Sequence, residues 1–140
     1  MRIFLDANVL FSAARADGVI RRLLSESQTR KHALVVGQLV VVEARRNLER
    51  KASPAAVVFL ELLLQSIDSL DAVPRLVATD IDWLVEKDRH VLCAAIHMRC
   101  DVLMSGDFAH FGAGYGRTFD SVKILSPRMT AELLLPASTS

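Results

Sequence analysis

Ile3-Phe4-Leu5-Asp6-Ala7-Asn8-Val9-Leu10 is the stretch whose reading decides the fold. An unbroken apolar run suits a strand buried on both faces, and helical periodicity begins directly after the acid that ends it. The same pattern recurs along the chain. Short apolar runs occur at 2–5, 33–36, 70–73, 102–104 and 122–125, each bounded by polar residues or by Gly and Pro. Between them, helical spacing covers 9–25, 38–51, 54–67, 88–99 and 127–135, with a break at Asp17-Gly18 inside the first segment. Ser53-Pro54 and Ser126-Pro127 supply a cap and a first helical residue for two of these segments. Strands alternating with helices predict parallel strands joined by right-handed crossovers, with helices on both faces. The expectation is a three-layer α/β domain of five strands and about six helices over residues 1–135, followed by a flexible tail at 136–140.

Composition supports a folded globular chain: 51% of the 140 residues are apolar and 24% are charged. The longest apolar stretches, 33–42 and 55–64, are interrupted by polar residues and fall short of the roughly 20 residues that span a bilayer. Asp6 arrives too early for a signal-peptide apolar region. A cytoplasmic protein without a membrane segment is therefore expected. Cys93 and Cys100 lie seven apart, about 10 Å along a helix, too far for a disulfide, so both read as buried thiols. His90, Cys93, His97 and Cys100 share one helix, and a single straight helix cannot wrap four ligands around a tetrahedral zinc ion. Net charge is +1. With four of the 16 acids set aside for a cation, 12 remain against 17 basic residues, an excess of 5 that suits a polyanion.

Four acids converge on one edge of such a sheet. Ligands of open parallel sheets sit beyond the carboxyl ends of the strands, where the strand order reverses. Asp6 ends the first run. Asp107 follows the fourth through Ser105-Gly106, and Asp88 begins the helix that returns to that fourth strand. Glu43 lies on the helix leaving the second strand, with Asn47 one turn further on. Each acid also has an ordinary reading: Asp6 and Asp88 as helix caps, Asp107 as a turn residue, Glu43 as a solvated neighbour of Arg46. Gathered carboxylates repel unless a cation neutralises them. An all-oxygen set points to Mg²⁺ or Mn²⁺, ions that support phosphodiester cleavage.

These residues resemble the PIN-domain family over almost the whole chain. Phe4-Leu5-Asp6-Ala7-Asn8-Val9-Leu10 is similar to its first motif, and Val41-Val42-Glu43-Ala44-Arg45-Arg46-Asn47-Leu48 to its helical Glu motif. Asp88-Arg89-His90-Val91-Leu92-Cys93-Ala94-Ala95 resembles the third, and Asp101-Val102-Leu103-Met104-Ser105-Gly106-Asp107 the fourth. The resemblance implies a Rossmann-like α/β/α PIN domain with a five-stranded parallel sheet and metal-dependent endoribonuclease activity. It implies Asp6, Glu43, Asp88 and Asp107 as Mg²⁺ or Mn²⁺ ligands, with Asn8 and Ser105 orienting them. It also implies a homodimer and, as in the VapC-type toxins, a small antitoxin partner. Arg45, Arg46, Lys87 and Arg89 are candidate RNA contacts, together with Arg50 and Lys51. His90 and His110 are minor candidates for proton transfer; His110 interrupts the family's usual Asp-Phe ending. The glycine-rich segment 112–116 reads as a flexible connection, with a mobile loop near substrate as the other reading. A phosphoacceptor receiver domain would want paired acids after the first strand, where Leu5 precedes Asp6. A haloacid-dehalogenase-type phosphatase would want an Asp at Asn8. The alternative from a different class is a non-catalytic PIN-like module that binds RNA or protein.

Overall fold

Two short strands meet at the centre of the molecule. In the computed structural model, which describes residues 1–70 and 80–135 with the backbone alone at Leu70, β1 (Arg2–Leu5) pairs in parallel with β4 (Val102–Met104), Leu5 level with Met104. On its other side β1 pairs in parallel with β2 (Ala33–Gly37), which pairs with β3 (Asp68–Leu70). Beyond β4 lies β6 (Val122–Leu125), also parallel. Five parallel strands are thus present, four of them at the expected positions. A sixth, β5 (Thr118–Phe119), adds an antiparallel edge of two residues beside β6. The order β3-β2-β1-β4-β6-β5 reverses direction between β1 and β4. Binding crevices open at such a reversal.

The helices form the outer two layers of the three-layer fold. α1 (Ala7–Arg15) and α2 (Val19–Thr29) flank the break expected at Asp17-Gly18. α3 (Gln38–Lys51) leaves β2 directly and is followed by α4 (Pro54–Leu64), which stops three residues earlier than expected. α5 (Arg89–His97) begins after a 3₁₀ turn at Glu86–Asp88. α6 (Phe108–Phe111) is a single turn, and α7 (Pro127–Leu134) closes the chain with Ser126 capping the Met129 amide. α1 packs against α2, α3 and α4, while α5 lies against β2 and β4. The expected strand at 70–73 overlaps β3 at Leu70; its remaining residues, and the tail at 136–140, lie outside the described residues. Cys93 and Cys100 are buried and unpaired. Among the described residues no helix is long and apolar enough to cross a membrane.

The central strands are apolar on both faces, as burial under two helical layers demands. Ile3, Phe4, Leu5, Leu103 and Met104 are completely buried. The segment expected as a flexible connection is instead packed. Gly112–Gly114 forms a 3₁₀ turn, and a methyl group on Gly114 would overlap the Trp83 ring, which stacks on Phe119 at 5.1 Å between centroids. Glycine is required there by close approach rather than by looseness. Because Leu103 sits at the middle of the sheet, Leu103→Ala should cost about 2–5 kcal/mol of stability, read as a lowered denaturant midpoint.

Candidate functional site

The sheet's reversal point brings residues 99 positions apart into direct contact. Beyond Leu5 the Asp6 amide still donates to the Met104 carbonyl at 3.0 Å, so Asp6 leaves the sheet level with the end of β4. Its side chain is buried and turned into the first turn of α1. Oδ1 accepts from the Ala7 amide at 2.8 Å. Oδ2 accepts from the Ser105 hydroxyl at 2.7 Å and from the side-chain Nδ2 of Asn8 at 2.9 Å. Asp6 is thus a helix cap and a member of the acidic group at once. Burial pushes its proton affinity above the ordinary carboxylate range. The bonds from Ser105 and Ala7 oppose this, and the charges of Asp88 and Glu43 add to it.

Ser105 and Asn8 tie the two strand ends together. The fully buried Ser105 hydroxyl donates to Asp6 and accepts from the Asp107 amide at 3.1 Å. Asn8 spans the gap, its Oδ1 accepting from the Gly106 amide at 2.7 Å. Tyr115 supports the turn from outside, donating its phenol to the Ser105 carbonyl at 2.7 Å. Burial, with the charges of Asp107 and Asp6, pushes the Tyr115 phenol up and keeps it a donor.

Around this frame a cleft of about 340 Å³ is lined by Asp6, Asn8, Glu43, Asn47, Lys51, Lys87, Asp88, Asp107 and His110, with Ala7 and Phe11. All four acids singled out in the sequence therefore face one cavity. Glu43 reaches it from α3, where Glu43, Asn47 and Lys51 recur every fourth residue along one stripe. It is exposed at the edge of the cleft. Asp107 caps α6 by accepting from the His110 amide at 3.1 Å.

The one-turn helix α6 places His110 above the acids. Its Nδ1 lies 2.8 Å from Oδ2 of Asp88 and 2.8 Å from Oδ2 of Asp107. Oδ2 of Asp88 is nevertheless buried without a hydrogen-bond donor among the described residues, so its contact with the ring is close but not directed as a hydrogen bond. One ligand atom from each of Asp88, Asp107 and His110 lies within 4.8 Å of the others, a group that could hold a metal ion. An orphaned, buried carboxylate oxygen is costly. A cation would satisfy it, so the residues present fit a divalent ion.

Of the basic candidates, Lys87 lines the cleft, joined by Lys51. Arg45 instead forks onto Glu61 of α4 at 2.7 and 3.2 Å. Arg89 donates to the Leu84 and Asp82 carbonyls, and Arg46 is exposed outside the lining. His90 does not line the cleft either. Tyr115 carried no sequence signal. His110 carried a weak one, its spacing of three from Asp107, which matters only once a helical turn forms there.

No family model matches the chain, and no curated protein matches it. Among solved structures, it is similar to a chain of VapBC2 from Rickettsia felis bound to a DNA fragment from their promoter. The TM-score is 0.63 at 12% identity, over 90% of this chain and 98% of that one. The chain has the three-layer α/β/α architecture expected of a PIN-type fold.

Because Ser105 serves the two strand ends at once, Ser105→Ala should lower stability by about 1–3 kcal/mol, measured by urea unfolding.

Proposed function

We propose that the protein is a metal-dependent endoribonuclease that hydrolyses RNA phosphodiester bonds. The observation that carries this reading is the convergence of Asp6, Glu43, Asp88 and Asp107 on one cleft at the sheet's reversal point. These carboxylates would hold Mg²⁺ or Mn²⁺. When bound, such an ion supplies positive charge that favours ionisation of a water and offsets charge on the departing oxygen.

The chain's own residues do the remainder. Asn8 and Ser105 fix the Asp6 carboxylate, so its oxygens need not reorganise when a cation enters. Lys51 and Lys87 stand on the rim without an ion-pair partner among the described residues and would draw a phosphate backbone toward the acids. Two features support placement among VapC-type toxins, working in the cytoplasm as a homodimer with a small antitoxin partner. They are the motif resemblance and the fold shared with a chain of a VapBC complex.

Purified protein should cut single-stranded RNA with Mn²⁺ or Mg²⁺, stop on chelation, and lose at least about 100-fold of its rate as Asp6→Asn or Asp107→Asn. Cutting that survives both chelation and Asp6→Asn overturns the mechanism. An intact metal-binding fold that cuts no RNA favours a non-catalytic binding module. Metal at about 100 times its dissociation constant should also raise stability by about 2.7 kcal/mol, seen as a higher Tm.

The lysines have a separate signature. Lys87→Ala should weaken RNA binding across all sequences and reduce the slope of log affinity against log salt by about one. An unchanged slope would remove Lys87 from the RNA path.

A further inference from the structure

The Nδ1 atom of His110 is held 2.8 Å from one oxygen of Asp88 and 2.8 Å from one of Asp107. An imidazole nitrogen offers one direction in the ring plane, so it cannot be aligned with two separate acceptors. The arrangement is not a hydrogen-bonded one at Asp88, whose Oδ2 is buried and has no donor among the described residues. The spacing has another meaning. Oxygen and nitrogen ligands bound at about 2.0–2.1 Å to an octahedral ion stand about 3 Å apart along each edge of the octahedron. Nδ1 stands at nearly that distance from both oxygens, and a single ion in front of it would satisfy all three atoms along one direction each.

The backbone keeps this nitrogen in place. Asp107 uses Oδ1 to accept the His110 amide at 3.1 Å, closing the turn of α6 and leaving Oδ2 beside the ring. Gly112 continues this turn with its backbone amide donating to the Phe108 carbonyl. His110 is half-buried rather than swinging in solvent. Its side chain forms part of the cavity wall with the acids.

We propose that His110 is a direct metal ligand through Nδ1 and that it makes the cleft a transition-metal site, selecting Mn²⁺ or a later first-row ion over Mg²⁺. This rests on the metal-site reading given above and deepens it. Mg²⁺ prefers an all-oxygen octahedron and retains water, whereas a ring nitrogen adds to the affinity of first-row ions in the order that rises from Mn²⁺ through Co²⁺. Carboxylates alone would discriminate weakly; the nitrogen supplies the difference.

The test is metal binding to the intact chain, read without RNA. Mn²⁺ is titrated by electron paramagnetic resonance with Mg²⁺ as competitor, and the bound Mn²⁺ is examined by electron spin-echo modulation for a directly coordinated ¹⁴N. Wild type should show the nitrogen coupling and prefer Mn²⁺. His110→Ala should lose the coupling and weaken Mn²⁺ on the order of tenfold or more, with Mg²⁺ changed far less. His110→Asp restores an oxygen ligand and should narrow the Mn²⁺-over-Mg²⁺ ratio while keeping both ions bound; it also serves if the alanine variant does not fold. Bound Mn²⁺ without nitrogen coupling in wild type, or a metal ratio unchanged in both variants, overturns the role of His110 and leaves the carboxylate site standing. Failure of wild type to bind any divalent ion overturns both.

Discussion

The hydrogen bond from the Ser105 hydroxyl to the Asp6 carboxylate joins the ends of β1 and β4, and the geometry of the cleft depends on it. A buried carboxylate is unfavourable unless it is bonded or neutralised. Here the chain provides three donors to Asp6, two from its own next turn and one from the neighbouring strand end. The same hydroxyl receives the Asp107 amide. Positions of the first and last acids are thereby locked through one oxygen atom, and the parallel register of Leu5 with Met104 sets the distance over which this works.

Around that lock the electrostatics are divided by depth. Asp6 is innermost and has its proton affinity raised by burial. Asp88 and Asp107 are half-buried beneath His110, and Glu43 is exposed on the rim. Lys51 and Lys87 share that rim. Their charges belong to the surface where a polyanion would arrive, whereas the acids belong to the interior where a cation would settle. Arg45 acts elsewhere, its fork onto Glu61 bridging α3 and α4 away from the cleft.

Much of this was legible in the residues because it follows from strand ends. Asp6 and Asp107 stand directly after apolar runs, and a parallel strand has only one end at which a following side chain can meet a crevice. Asp88 was placed by the helix it introduces, one residue ahead of α5. Glu43 depended on helical phase, and the fourfold spacing to Asn47 and Lys51 supplies it. β5 was not legible, since two edge residues carry no period. The packed glycine turn was missed because its partner, Trp83, lies far from Gly114 in sequence and nothing local announces the contact. The partners of Arg45 and Arg89 were hidden for the same reason: a surface arginine can reach many acceptors, and only the assembled helices choose among them. His110 and Tyr115 needed the turn after β4 to exist before their positions acquired meaning.

The 99-residue separation between the two halves of the central hydrogen bond has a consequence for the newly made chain. Translation delivers β1, α1 and α3 first, with Asp6 and Glu43 among them, and Ser105 follows Asp6 only 99 residues later. β6, which flanks β4 and completes the parallel sheet, emerges later still. Synthesis proceeds at about 5–20 residues per second, so Asp6 waits on the order of 5–20 seconds for the hydroxyl that holds it. A nascent fragment holds isolated carboxylates with no shared cavity.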